Sequence, residues 1–161
     1  MIIREIQAEL LKCASEYPAV TILGPRQSGK TTLAQMAFPE LGYCSLEDPD
    51  LRLNAENDPR GLLAEFPQGV ILDEIQRVPK LLSYLQGVID QKPRKGQYIL
   101  TGSHQPEVHQ AISQSLAGRT AVLELLPFSF EEVYRYNRPQ QSAYEMIQRG
   151  FYPRLHEEQL R

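Results

Sequence analysis

A glycine-containing segment near the N-terminus has the residue types that bind a polyphosphate. It fits the pattern G-x-x-x-x-G-K-[ST] at every fixed position. The segment comprises Gly24, Pro25, Arg26, Gln27, Ser28, Gly29, Lys30 and Thr31, and Thr32 directly after it is predicted to contact the nucleotide too. Glycines let backbone N–H groups approach phosphate oxygens, Lys30 supplies a positive charge for the β- and γ-phosphates, and Thr31 offers a hydroxyl to Mg²⁺.

A second motif, Val70 to Glu74, ends a short apolar run on two carboxylates. Such a run predicts a buried strand, and ligands of parallel α/β sheets bind at the carboxyl ends of the strands. Asp73 is therefore predicted to hold Mg²⁺ through its water shell, and Glu74 to act as general base on the attacking water. An Asp-Glu pair at a strand end is common, so the motif gains its weight from following a phosphate-binding segment.

Weaker candidates lie further along the chain. Thr101-Gly102-Ser103 ends another predicted strand, where a polar side chain could sense the γ-phosphate or position water; a plain turn explains the residues almost as well. An arginine that reaches the γ-phosphate, from the same chain or a neighbour, would stabilise transition-state charge. Arg119 is the candidate for that role, and Arg26, Arg60 and Arg77 compete with it. Gln76 could also contact water or phosphate, but a surface glutamine is the default expectation.

The elements that must position these residues alternate between strands and helices. Strands are predicted at 19–23, 42–46, 69–73, 97–101 and 119–125. Helices are predicted at 3–16, 30–38, 79–91, 108–116 and 131–136, with a broken helical stretch at 49–65. This alternation predicts an α/β fold with a mainly parallel sheet and helices on both faces. Residues 1–136 are expected to form the core, and residues 137–161 a helical tail that starts a longer C-terminal region.

Composition excludes several classes of protein. The chain has 161 residues, enough for one domain, and its hydrophobic and charged fractions of 42% and 23% are ordinary for a globular protein. A formal net charge of −3 does not indicate nucleic-acid binding. The sequence has neither a signal-peptide pattern nor an apolar run of membrane-spanning length, so we expect a cytoplasmic protein that does not contact a membrane. Cys13 and Cys44 are expected to be buried, reduced thiols.

Taken together, these motifs resemble a known family. The chain is similar to the N-terminal ATPase domain of prokaryotic AAA+-type ATPases, the AAA_14 group, which usually carry a C-terminal domain of unknown function called DUF4143. The resemblance rests on residues 24–33, 71–79, 100–103, 116–119, 125–132 and 150–153, in that order. It implies a P-loop core of the additional-strand type, a three-layer sandwich with five strands in the order 5-1-4-3-2. It also implies ATP as the nucleotide, Ser103 at the sensor position and Arg119 as a phosphate-facing or trans-acting arginine.

Three functions stay open at this point. The first is an ATPase that hydrolyses ATP to ADP and phosphate with Mg²⁺ and drives a switch in an attached domain or partner. The second is a small-molecule kinase, since nucleoside kinases share the phosphate loop, although Asp73-Glu74 is more typical of water activation. The third is a module that binds ATP without hydrolysing it. Self-association, or contact with a C-terminal domain beyond residue 161, is a further expectation from the resemblance.

Overall fold

The computed structural model describes residues 2–137 and 142–157. Five parallel strands in this part form one sheet in the order β2-β3-β4-β1-β5. The strands are β1 (Ala19–Gly24), β2 (Gly42–Ser45), β3 (Val70–Asp73), β4 (Tyr98–Ser103) and β5 (Thr120–Glu124). The predicted order 5-1-4-3-2 is confirmed, since it is the same order counted from the other edge.

Helices cover both faces of this sheet, as the alternating pattern predicted. They are α1 (Gln7–Glu16), α2 (Lys30–Ala37), α3 (Pro49–Asn57), α4 (Pro59–Ala64), α5 (Leu81–Gln91), α6 (Pro106–Ser115), α7 (Phe130–Asn137), α8 (Ala143–Arg149) and α9 (Pro153–Glu157). A 3-10 helix at Ile75–Arg77 precedes α5. The broken stretch at 49–65 divides at Asp58, whose carboxylate caps α4 by accepting from the Gly61 N–H at 2.8 Å.

Successive residues of the central strands face opposite sides of the sheet and bury two separate cores. On β3, Val70 and Leu72 pack with α3 to α6, while Ile71 packs with α1 and α2. The same alternation divides Leu100 from Ile99 on β4. A strand buried on both faces reads as a continuous apolar run, which explains why the sequence signalled these strands so clearly. The result is a helix–sheet–helix sandwich of three layers.

The first helix begins later than its apolar spacing predicted, at Gln7 instead of residue 3. The helix begins late because the chain before it packs against a different part of the molecule. Ile2 joins a third apolar cluster with Phe128, Val133 and Met146. This cluster joins the N-terminal segment to the chain after β5. The division into a core of residues 1–136 and a tail of residues 137–161 stays a prediction. Residues 138–141 and 158–161 of that tail lie outside the described part.

Candidate functional site

The phosphate-binding segment forms the connection between β1 and α2. Its backbone depends on two glycines: Gly29 has a φ of +90°, and a Cβ on Gly24 would lie 2.1 Å from the Leu125 carbonyl oxygen. The helical hydrogen bonding of α2 starts from the Gly29 carbonyl, which accepts from the Leu33 N–H at 2.9 Å. The loop therefore leads into the amino-terminal end of a helix, where backbone N–H groups and the helix dipole favour an anion.

Lys30 is folded back into this loop and is only 5% exposed. Its ammonium group donates to the carbonyl oxygens of Pro25 at 2.7 Å and Gly24 at 3.1 Å. Burial lowers the pKa of Lys30, and the nearby Glu74 and Asp73 carboxylates act in the opposite direction. A desolvated ammonium held between loop carbonyls is suited to an anionic ligand, because phosphate oxygens would supply the countercharge that burial withholds.

Asp73 ends β3 and receives hydrogen bonds from three side chains. Thr31 Oγ1 donates to Asp73 Oδ1 at 2.7 Å, and Thr101 Oγ1 donates to the same oxygen at 2.5 Å. Tyr43, on the neighbouring strand β2, donates to Asp73 Oδ2 at 3.1 Å. The structure thus brings together the two residues predicted as metal ligands, Thr31 and Asp73, although they are 42 positions apart in the sequence.

Glu74 follows Asp73 in the left-handed backbone conformation, with φ +60° and ψ +51°. That conformation is unusual for a residue with a side chain. The Thr101 hydroxyl oxygen holds it by accepting from the Glu74 N–H at 3.1 Å. The Glu74 carboxylate accepts from the side-chain amide of Gln76, and the same amide nitrogen donates to Ser103 Oγ at 2.9 Å. Gln76 is therefore bonded into the site, and the expectation of an ordinary surface glutamine is wrong.

Arg119, in contrast, lies where the strands begin. We call this side of the sheet its amino edge, and the side where the strands end, with the phosphate loop, its carboxyl edge. It directly precedes β5, and its carbonyl accepts from the N–H of Ala19, where β1 begins, whereas the phosphate loop follows the end of β1. Its guanidinium forms a two-point ion pair with Asp90, at 2.6 and 2.8 Å. The structure does not bring Arg119 to the phosphate loop of its own chain, because parallel strands start and end at opposite edges. Action on a neighbouring chain stays a prediction.

The competing arginines occupy different places. Arg77 pairs with Glu47 at 3.2 Å on the surface, and Arg60 lies over the Tyr84 ring. Arg26 is exposed within the phosphate loop itself. Of these three, Arg26 alone belongs to the phosphate-binding segment.

Sequence analysis missed the contribution of the tail. Pro153 and Arg154 line the groove that contains Lys30, Thr31 and Glu74. The Pro153 ring would lie 3.5 Å from a Cβ on Gly29, so it packs directly against the phosphate loop. The signal was present in the segment Gly150 to Pro153, which supported the family resemblance but was given no role in the site.

A second missed residue, Arg4, ties the N-terminal segment to this loop. It donates to the Ser28 carbonyl at 2.8 Å and to the Leu126 carbonyl at 2.6 Å, and it pairs with Glu132 at 3.1 Å. Its guanidinium lies 4.8 Å from the centre of the Phe128 ring. No local pattern indicates such a residue, since its partners lie up to 128 positions away.

An apolar recess adjoins the polar groove. Gly29, Thr32 and Pro153 line both. Ile2, Leu33, Met36 and Phe128 supply the apolar side chains of the recess. A polar groove and an apolar recess that meet at one loop match the two chemical halves of a nucleotide, its phosphates and its base.

Comparison with known proteins identifies a family for this chain. A family model described as an AAA domain, AAA_14, matches residues 16–134. Uncharacterized proteins of Mycobacterium tuberculosis and Mycobacterium bovis are each 30% identical to the chain over 132 residues, which is 81% of this chain. The match spans only 30% of the length of each mycobacterial relative.

Solved structures share the fold at low sequence identity. The Walker-type ATPase PABY2304 of Pyrococcus abyssi is 19% identical with a TM-score of 0.59, covering 90% of this chain and 61% of that one. DnaA of Aquifex aeolicus, solved with AMPPCP, is 16% identical with a TM-score of 0.64, covering 98% and 61%. The RuvB branch migration motor of Thermotoga maritima is 21% identical with a TM-score of 0.55, covering 83% and 49%. Among the described residues, no helix has both the length and the apolar character needed to cross a membrane.

Proposed function

Because this chain belongs to the AAA domain family AAA_14, we propose that it binds ATP with Mg²⁺ and hydrolyses it to ADP and phosphate. The observation that carries this proposal is the cluster at the carboxyl edge of the sheet. There the Thr31 hydroxyl lies 2.7 Å from Asp73 Oδ1, beside the buried Lys30 ammonium. Glu74 lines the same groove as Lys30 and Thr31.

The donor set fits magnesium. Mg²⁺ prefers hard oxygen ligands and is usually bound by one or two protein groups together with phosphate oxygens and water. Thr31 and Asp73 would hold it, one through its hydroxyl and the other through its carboxylate. When bound, the ion would neutralise charge on the phosphates and so assist transfer of the γ-phosphoryl group to water.

The residues of the site then have separate tasks. Backbone N–H groups of the loop from Arg26 to Thr31 bind phosphate oxygens, and Lys30 adds its positive charge. Glu74, one residue past the metal-binding carboxylate, accepts a proton from the attacking water. The Ser103 hydroxyl, at the end of the adjacent strand β4, donates to a phosphate oxygen or to that water.

The apolar recess favours a nucleotide over inorganic polyphosphate. A purine base has two apolar faces, and the exposed side chain of Met36 offers apolar surface in this recess, whose other apolar lining residues, Leu33 and Phe128, are almost fully buried. We propose that the base lies in this recess and that the ribose spans Gly29 and Thr32, which line both the recess and the phosphate groove.

The decisive experiment compares ATP binding with ATP turnover in Glu74→Gln. The amide keeps the size of the side chain but is a far weaker proton acceptor, so we expect unchanged ATP affinity and turnover lower by about 10²–10⁴-fold. Binding is measured with a fluorescent ATP analogue, and turnover by coupled detection of ADP with Mg²⁺ present. Glu56→Gln, the same change at an exposed position of α3, is the matched control and should leave both quantities unchanged.

Two other outcomes would point to other functions. Wild-type protein that binds ATP but yields no ADP at any protein concentration would support a non-hydrolysing ATP-binding module. ADP that appears only when a small-molecule acceptor is added would support a kinase. Either result would contradict the ATPase proposal without disturbing the assignment of the phosphate loop.

We propose further that the nucleotide state is passed to an attached domain or partner. The match to each mycobacterial relative covers 30% of that protein, so most of each relative lies outside it. The tail is the natural route, because Pro153 and Arg154 line the phosphate groove while α8 lies outside it. Limited proteolysis with and without an ATP analogue measures this: we expect nucleotide to change the rate of cleavage in the tail.

A further inference from the structure

Gln76 occupies an unusual position between the predicted general base and the predicted phosphate sensor. Its side-chain nitrogen donates both to the Glu74 carboxylate and to Ser103 Oγ, the latter at 2.9 Å. Its side-chain oxygen accepts from the Ser103 N–H at 3.3 Å. The backbone N–H of Ser103 can only donate, so its partner must be the amide oxygen, and the amide nitrogen is the end that donates to Ser103 Oγ and Glu74. Both N–H groups of the amide are thus committed, one to each functional residue.

The surrounding backbone is shaped to admit this amide. A Cβ on Gly102 would lie 3.1 Å from the Gln76 side-chain oxygen, so the absence of a side chain there leaves the room that Gln76 uses. The left-handed backbone of Glu74 turns the chain immediately after β3, directly before the 3-10 helix that contains Gln76. Two separate features, a glycine on β4 and a turn after β3, therefore place one glutamine between Glu74 and Ser103.

We propose that Gln76 is a positioning residue that couples the hydroxyl of Ser103 to the carboxylate of Glu74. Because Ser103 Oγ accepts from Gln76, its own hydroxyl proton is left to donate to a bound acceptor such as a phosphate oxygen. An acceptor that orders this hydroxyl also orders the Gln76 amide, and the amide orients the Glu74 carboxylate. The inference rests on the proposed ATP hydrolysis and goes beyond it, since it states how the base is aligned when the phosphate end of the site is filled.

The first test removes the hydrogen bonds but keeps the volume of the side chain. Gln76→Met should lower kcat at least tenfold, while the affinity for a fluorescent ATP analogue stays within twofold of wild type. Gln91→Met, the same substitution at an exposed residue of α5, is the control and should change neither. Unchanged kcat in Gln76→Met, or a loss of affinity as large as the loss of kcat, would overturn the inference.

A double-variant cycle separates coupling from a merely structural role. If Ser103 acts on Glu74 through Gln76, then Gln76→Met combined with Ser103→Ala should turn over no more slowly than the slower single variant. Independent structural contributions would instead multiply, and a double variant slower by the product of the two single effects would count against coupling.

A readout without turnover distinguishes failure of this inference from failure of the proposed function. The side-chain amide signals of Gln76 in a ¹⁵N correlation spectrum are identified by their loss in Gln76→Met. We expect these signals to shift in both Glu74→Ala and Ser103→Ala. Signals that stay in place in both variants would refute the bridge even in an active enzyme, whereas shifted signals in a protein without turnover would support the bridge and contradict only the ATPase proposal.

Discussion

Two arginine–carboxylate ion pairs, one near the carboxyl ends of the strands and one near their amino ends, have very different surroundings. Near the phosphate loop, Arg4 and Glu132 approach to 3.1 Å with side chains 9% and 5% exposed. At the amino edge, Arg119 and Asp90 form a closer pair at 2.6 Å, yet their side chains are 28% and 48% exposed. Exposure matters more than distance, because water and salt screen the exposed pair, whereas the buried charges are largely shielded from water and depend on partners within the protein.

The same contrast holds for polar groups in general. Of the buried polar and charged side chains in the described residues, all but Thr21 lie at the carboxyl edge; the others are Arg4, Ser28, Lys30, Asp73, Thr101, Ser103 and Glu132. Burying a polar group costs free energy unless it is hydrogen-bonded, so a fold tends to keep such groups at the surface. Their concentration at one edge indicates where the protein uses them.

The largest effect should come from breaking the buried pair. Arg4→Met leaves Glu132 without its cation and also removes donors from the carbonyls of Ser28 and Leu126. Removing one partner of a buried pair typically costs about 3–5 kcal/mol. We expect a loss near 3 kcal/mol in the free energy of unfolding, because Glu132 still accepts from the N–H groups of Glu5 and Ser129. Urea unfolding followed by circular dichroism measures it.

A second substitution checks that an unpaired charge causes this loss. Arg4→Met with Glu132→Gln removes both charges, and the single amide oxygen can still accept from one of the two backbone N–H groups that Glu132 binds, those of Glu5 and Ser129. The double variant should be more stable than Arg4→Met alone. If Arg4→Met loses less than about 1 kcal/mol, the value typical of an exposed pair, then the contrast between the two edges is wrong.

The next effect is on binding at the same edge. Lys30→Ala removes the only side-chain ammonium among the described residues that line the phosphate groove, and we expect ATP affinity to fall at least a hundredfold, or about 2.7 kcal/mol. The loss should appear in calorimetric titration with ATP and Mg²⁺. Lys12→Ala, at an exposed position of α1, is the matched control and should bind ATP like wild type. An affinity that survives Lys30→Ala would place the nucleotide elsewhere.

Whether the sequence could predict a feature of the carboxyl edge depends on whether the residues that form it are close together in the sequence. The phosphate loop is one contiguous segment, and Asp73 follows a strand recognisable from its own residues, so both were predictable. Arg4 was not, because it meets the loop through contacts between distant parts of the chain, and for Pro153 the sequence showed a family motif but not its contact with the loop. The contacts of Gln76 were not predicted, because its position depends on the left-handed backbone of Glu74. A glutamate residue does not by itself indicate that conformation.

The position of Arg119, in contrast, could have been predicted from the sequence. A residue that begins a parallel strand lies at the amino edge, away from the carboxyl ends where Asp73 and Ser103 lie. A trans role for Arg119 would require a neighbouring chain to present its amino edge to the phosphate loop. Turnover that rises more steeply than protein concentration in wild type, and only linearly in Arg119→Gln, would support that role.

The smallest effect on stability should come from breaking the exposed pair of Arg119 and Asp90, and the pH dependence of that effect shows whether it arises from their charges. The hydrogen bonds from Arg119 hold the pKa of Asp90 below its ordinary value of 3.8. A carboxylate whose pKa is lowered on folding contributes stability above its unfolded pKa, and this contribution is lost as pH falls through the lower, folded value. Arg119→Gln should therefore reduce stability only slightly at pH 7, less at high salt, and not at all once Asp90 is protonated in both states. Thermal unfolding of both proteins from pH 7 to pH 2 checks this. A difference between wild type and Arg119→Gln that persisted at acid pH would mean that Arg119 stabilises the fold through its packing, not through its charge.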